Sequence, residues 1–354
     1  MVQASLSIEG RSSDRIVQLW LVAVALLVLC MIVVGGATRL TDSGLSITEW
    51  QPILGAIPPM NEAHWLEAFE KYRQIPEYHL VNKGMSLEDF KFIYWWEWGH
   101  RFLGRIIGVA FAVPLIFFAV RGMLRPGALA RYLGVLALGG LQGAIGWYMV
   151  SSGLAERVDV SHYRLALHLS VAFLILGLLV WLAMDLREER ARPSIGLSAG
   201  AAPVALAIVV LVFGQVALGA FVAGLKAGLV YNTWPLMNGM VIPDDLFGFT
   251  PWAQNFVENP TTVQFNHRLV AYVVVAVGLW HGITVARSAT TAEVRASAML
   301  VAAALLAQMA LGIVTLLHAV PIGLGIAHQG FAAIVLAIAV RHLWLVRHAT
   351  MVSP

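Results

Sequence analysis

Four histidines and one glutamate carry the chemistry that can be read in this chain. Of its 11 histidines, His100 recurs with its neighbour as His267 (His100-Arg101, His267-Arg268), and His168 recurs as His328. Each of the four lies in a long apolar run, where a polar side chain is costly and usually kept for function. A neutral imidazole offers one lone pair to a metal, and two on facing helices suit the axial positions of a haem iron. Zinc and copper also take histidine, yet no cysteine or carboxylate cluster stands near these pairs to complete a tetrahedral site. Hydrogen bonding between helices is the plainer use of a histidine. It is the favoured reading for His64 and His79 in a polar stretch, His162 and His318 at helix ends, and His348 in the tail.

Glu97 lies three positions before His100, so a helix would put both on one face. Its counterpart before His267 is Gln264. One site therefore has an ionisable carboxylate, and the other a neutral amide that cannot accept a proton. A carboxylate can take a proton, hold a water or stabilise positive charge; the alternative is an interfacial residue facing water. Arg101 and Arg268, each following a candidate ligand, could pair with haem propionates or anchor the interface. Arg39, Arg105 and Lys226 are weaker candidates of that kind. Tyr94, Trp95, Trp96 and Trp98 read as an interfacial aromatic belt.

His281 and His342 each follow a candidate ligand by 14 residues, about 21 Å of helix at 1.5 Å per residue. That spacing could hold a second haem stacked across the bilayer. Pro114 and Leu182 occupy the corresponding first-half positions, so such a haem would be confined to the second half.

The elements that position these residues are apolar. The chain of 354 residues is 59% hydrophobic and 12% charged, with mean hydropathy +0.77 and an isoelectric point near 9.1. Soluble domains carry about 25% charged residues, so the excess of base over acid points to cytoplasmic loops and not to nucleic acid. The single cysteine, Cys30, excludes an internal disulfide, a cysteine-ligated cluster and covalent haem attachment through two thiols. Eight runs reach the roughly 20 residues needed to cross a bilayer: Ile16–Val34, Gly99–Val120, Ala130–Val150, Tyr163–Met184, Pro203–Ala223, Phe265–Ala286, Ala296–Leu317 and Leu324–Val346. The first is too long for the core of a cleaved signal. Arg11 and Arg15 precede span one. Arg121, Arg125 and Arg131 follow span two, Arg187, Arg190 and Arg192 follow span four, Arg287 and Arg295 follow span six, and Arg341 and Arg347 close the chain. Both termini are thus expected in the cytoplasm, with the long segments after spans one and five, and all four histidines, toward the outer face.

The chain also repeats itself. Residues 36–59 (GATRLTDSGLSITEWQPILGAIPP) match residues 220–243 (AFVAGLKAGLVYNTWPLMNGMVIP) at a constant offset: Gly44 with Gly228, Trp50 with Trp234, Gly55 with Gly239, Pro59 with Pro243. Gln142 and Gly146 match Gln308 and Gly312 in the same way. Ordered matches at polar positions indicate duplication. The expected fold is all-α and integral to the membrane, with eight transmembrane helices forming two duplicated four-helix bundles related by pseudo-twofold symmetry. Residues 1–190 form one bundle and 191–354 the other.

Taken in order, GGATRLTDSGLSITEWQPILGAIPP, EWGHRFLGRIIG, FNHRLVAY and AHQGFAA resemble the heme A synthase family over nearly the whole chain. The resemblance implies an oxidoreductase of the bacterial inner membrane that serves the haem-copper oxidase. Its substrate would be heme O, whose C8 methyl group becomes the formyl of heme A through two hydroxylations and loss of water. It implies heme b held by His267 and His328, substrate haem between His100 and His168, and Glu97 as the important carboxylate. Implied partners are heme O synthase, the cytochrome c oxidase assembly machinery, membrane lipid and a second copy of the chain. Some family members carry a cysteine pair in an outward loop; this chain has none, and the long first loop, with a helix-like Glu62–Tyr72, could shield the site instead. A membrane diheme b-type cytochrome for electron transfer is the alternative. A transporter ranks last, because the polar residues cluster toward one leaflet and not at the midplane.

Overall fold

The computed structural model describes residues 2–187, 197, 200–289 and 291–350, with 2–12 and 350 as backbone alone. Arg190, Arg192 and the expected boundary between the halves at 190/191 lie outside the described residues. Eight long helices dominate: α1 (Val2–Leu40), α2 (Leu87–Val120), α3 (Ala128–Val150), α4 (His162–Asp185), α5 (Ala201–Gly224), α6 (Pro260–Ser288), α7 (Ala292–Leu317) and α8 (Ile322–Thr350). All eight are long and apolar enough to cross a bilayer. Among the described residues no strand forms, only an isolated bridge between Met237 and Met240.

Helices α1 to α4 close a ring in sequence order, with α4 returning to α1; α5 to α8 do the same. The rings meet where α1 lies on α8 and α5 on α4, while α4 and α8 touch between them. Exchanging the halves maps the α1–α8 contact onto α5–α4 and the α4–α8 contact onto itself, which is consistent with duplication. One apolar core spans both rings and includes Leu21, Leu115, Phe173, Leu176, Ile208 and Leu336. Small residues bring the helices close: a Cβ on Gly36 would stand 2.9 Å from Gln329, and one on Gly330 would stand 2.9 Å from Val33.

Helices α2 and α6 are among those that begin earlier than their apolar runs suggest. Helix α2 starts at Leu87 and not near Gly99, because Ser86 and Asp89 form a reciprocal capping box there. Its extra turns pack on the helix Glu62–Tyr72, which the sequence anticipated, through Trp65 against Tyr94 (5.0 Å) and Phe69 against Phe90 (4.9 Å). Tyr94 therefore belongs to a buried aromatic cluster, while Trp95 is exposed. Helix α6 starts at Pro260, with the Asn259 side chain accepting from the Thr261 and Thr262 amides. Beside the first loop's cluster the Glu77 carboxyl is buried and accepts from Tyr72 Oη at 3.3 Å. Burial pushes its pKa up to about 8, and the carboxylates of Asp42, Glu97 and Asp159 push the same way.

Candidate functional site

The four matched histidines stand in one setting. Each lies in the N-terminal half of its helix, and each is half-buried. His100 and His168 stand on α2 and α4 of the first ring, and His267 and His328 on α6 and α8 of the second. A carboxamide from the adjacent helix steadies three of them through the histidine's own backbone carbonyl. Gln142 donates to His168 O at 2.9 Å, Gln308 to His328 O at 3.0 Å and Gln215 to His267 O at 2.9 Å. The same amide nitrogens lie 3.1 Å from His267 Nδ1 and 3.2 Å from His328 Nδ1. Glycine gives the rings their room: a Cβ on Gly146 would stand 2.9 Å from His168 Cε1, on Gly312 2.7 Å from His328 Cε1, and on Gly219 3.2 Å from His267 Cε1.

Above the histidines sits a duplicated arginine clamp. Arg101 donates to Ile47 O (2.8 Å) and Glu49 O (3.0 Å), and Arg268 donates to Tyr231 O (2.8 Å) and Thr233 O (2.9 Å). These are the same loop positions in the two copies. Glu97 and Gln264 sit four residues before the arginines, both buried. Glu97 is not an interfacial carboxylate facing water. Its Oε2 accepts from Ser46 Oγ (2.7 Å) and the Ile47 amide (2.8 Å), and its Oε1 accepts from Arg101 Nη2 (2.6 Å) and Nε (3.1 Å). Four donors fill the roughly four acceptor sites of a carboxylate. Gln264 Oε1 accepts from Arg268 Nη2 at 3.0 Å, while its Nε2 donates to Ala227 O (2.7 Å) and Tyr231 O (3.3 Å). Arg268 Nε is left buried without a partner.

The donor set fits haem. The pairs consist of neutral-capable imidazoles on helices of one ring, with no third metal-binding side chain grouped near them among the described residues. Gln142 Oε1, Gln215 Oε1, Gln308 Oε1 and His168 Nδ1 are buried with no hydrogen-bond partner. An Nδ1–H turned to a carboxamide oxygen would satisfy it and leave the Nε2 lone pair for iron. The unpartnered Arg268 Nε and Arg105 Nη1 are donors suited to a carboxylate such as a propionate.

His281 and His342 are different. Both are buried, and their Nε2 atoms are 2.9 Å apart, so one donates directly to the other; His342 Nδ1 lies 2.8 Å from Ser297 Oγ. With this bond made, neither Nε2 is presented to an iron between the rings. The two imidazoles satisfy each other, which disfavours the stacked-haem alternative. Of the remaining histidines, His318 and His348 lie 2.8 Å from carbonyls of their own helices and not of neighbouring ones, and His162 sits 3.4 Å from Glu258.

Sequence reasoning missed Gln215, Gly219 and Ser46. Gln215 and Gly219 repeat the four-residue spacing of Gln142 and Gly146, a usable signal. Ser46 reaches Glu97 across 51 positions and carries no local signal.

An eight-helix membrane protein with a duplicated histidine site is the class that fold and geometry define. A family model described as cytochrome oxidase assembly protein matches residues 18–340. A protein of Parvibaculum lavamentivorans named heme A synthase is 54% identical over 324 residues, covering 92% of each chain. Proteins of the same name from Brucella anthropi and a Chelativorans species are 52% and 50% identical, covering 96% of this chain and 94% of each relative. The chain belongs to the heme A synthases of the cytochrome oxidase assembly protein family.

Proposed function

We propose that the protein is an oxidoreductase converting heme O to heme A, with His100 and His168 holding the substrate haem and His267 and His328 holding heme b. The bacterial inner membrane, with both termini cytoplasmic and the histidines toward the outer face, is the setting that the arginine distribution supports. Residues up to about 190 form the substrate half and the remainder the heme b half. One observation carries the division: the same clamp position holds a charged Glu97 in the first half and a neutral Gln264 in the second.

Oxidising a methyl group removes electrons and protons, so positive character develops at the carbon beside the porphyrin. A fixed anion in apolar surroundings stabilises that character far more than it would in water. Glu97 is tied by four donors, so its part is that of a fixed charge and not of a mobile base. Through Arg101 it also holds residues 46–49 over the site, limiting entry of bulk water. Heme b, when bound, supplies electron transfer; His267 and His328 orient it, and Gln215 and Gln308 hold those histidines. Arg101 and Arg268 remain candidates for propionate pairing at the rim.

Heme O synthase as supplier, the oxidase assembly machinery as recipient and a homo-oligomer complete the reading. The test is co-expression with heme O synthase in a host lacking heme A, followed by haem extraction and mass analysis. Heme A should accumulate together with bound heme b. Heme O left unconverted in folded, heme b-loaded protein would overturn the activity.

A further inference from the structure

Each candidate ligand faces a helix of its own ring that presents two residues one turn apart. For His168 the pair is Gln142 and Gly146 on α3, for His328 it is Gln308 and Gly312 on α7, and for His267 it is Gln215 and Gly219 on α5. The fourth pair, on α1 facing His100, is Met31 and Gly35. The glycine is kept; the glutamine is not. Met31 Cε lies 3.3 Å from where a Cβ on Gly104 would stand, one turn beyond His100 on α2. The second half has Ala271 at the position of Gly104, so the smaller glycine gives the thioether its room.

The His100 ring is also turned differently. A Cβ on Gly35 would meet His100 Nε2 at 3.0 Å, whereas the other three glycines face Cε1 of their histidines. The three carboxamides grip a backbone carbonyl and keep a buried, unpartnered Oε1. A thioether offers neither a donor nor a strong acceptor. Groups that bond a ligand histidine through its second nitrogen or its backbone fix the ring, and losing one typically weakens metal binding.

We propose that Met31 is a positioning residue that makes His100 the exchangeable ligand of the four, so that the first-half haem can enter and leave while the second-half haem is retained. This rests on the assignment of the substrate haem to the first half. A reactant must be released each turnover and a resident cofactor must not; the methionine separates the two at the one ligand where the rings differ.

The test uses full-length protein, co-expressed with heme O synthase and purified with its haems. It is mixed with excess apomyoglobin as haem acceptor, and the loss of hemes b, O and A is followed by extraction. Wild type should lose hemes O and A faster than heme b. Met31→Gln should slow that loss by about 10–100-fold, and Gln215→Met should speed heme b loss by a similar factor. Met31→Gln should also shift the ferric low-spin resonance of the first-half haem, because it changes how the His100 ring is held. Unchanged exchange and resonance in a folded Met31→Gln protein would overturn the proposal, and this variant decides the matter even if Gln215→Met fails to accumulate. If Met31→Gln instead slowed heme b, the cradle would stand, and the assignment of the halves would be what failed.

Discussion

The two halves build the same clamp around different central groups. In both, an arginine one turn beyond the buried acid or amide reaches two carbonyls of the preceding loop, at corresponding positions. The first half fills the clamp with a carboxylate that takes two bonds from Arg101 and two from the loop. The second fills it with an amide that takes one bond from Arg268 and gives two to the loop. The second half shows that the clamp does not need a charge to fold. The charge in the first half is therefore free to serve chemistry, and removing it need not break the loop.

That comparison makes Glu97→Gln the most informative substitution. Gln264 demonstrates that an amide satisfies the arginine, so folding and heme b content should be retained. Formation of heme A should fall by about 10²–10³-fold, the usual cost of removing a group that stabilises developing charge. Quantifying hemes O, A and the hydroxylated intermediate checks this, and near-normal heme A would reduce Glu97 to a structural acid. The reciprocal change, Gln264→Glu, should lower the melting temperature, because a carboxylate there faces the Ala227 and Tyr231 carbonyls to which the amide now donates.

The buried histidine pair sharpens the contrast from the other end of the second ring. His281→Leu alone leaves the His342 nitrogen unpartnered, at a cost of about 1–3 kcal/mol in stability, with haem content unchanged. The double variant His281→Leu with His342→Leu should cost less than the sum of the single variants, since both members of the bond are gone. Loss of one haem equivalent in the double variant would restore the stacked-haem reading.

Glu77, in the first loop alone, affects stability and its pH dependence and not the haem sites. Its carboxyl stays protonated in the folded protein up to about 8, whereas the unfolded chain loses that proton near 4.5. The folded state thus binds more protons between these values, and stability should fall as pH rises across that window, then level. Glu77→Gln should remove this slope, read as melting temperature against pH; an unchanged slope would show that the carboxyl is ionised in place.

Much of this was legible in the sequence, for identifiable reasons. The spans were visible because bilayer crossing demands long apolar runs. The helix starts at Leu87 and Pro260 were not, because capping by Ser86 and Asn259 and packing on the first loop set them. The pairing of Glu97 with Gln264 followed from the repeat, but two of the donors that fix Glu97, Ser46 and the Ile47 amide, lie 51 and 50 positions away in the chain. For His281 and His342 the spacing and the structure point to different uses. Their spacing from the ligands suggested a second haem, yet the helices bring the two rings within hydrogen-bonding distance of each other.

The central claim is that the halves hold haems with different roles. It is tested most directly by extracting and weighing the haems of four variants made beside heme O synthase: His100→Leu, His168→Leu, His267→Leu and His328→Leu. The first two should keep heme b and lose hemes O and A, and the last two should lose heme b. Loss of heme b from the first pair, with heme b retained in the second, would contradict the account.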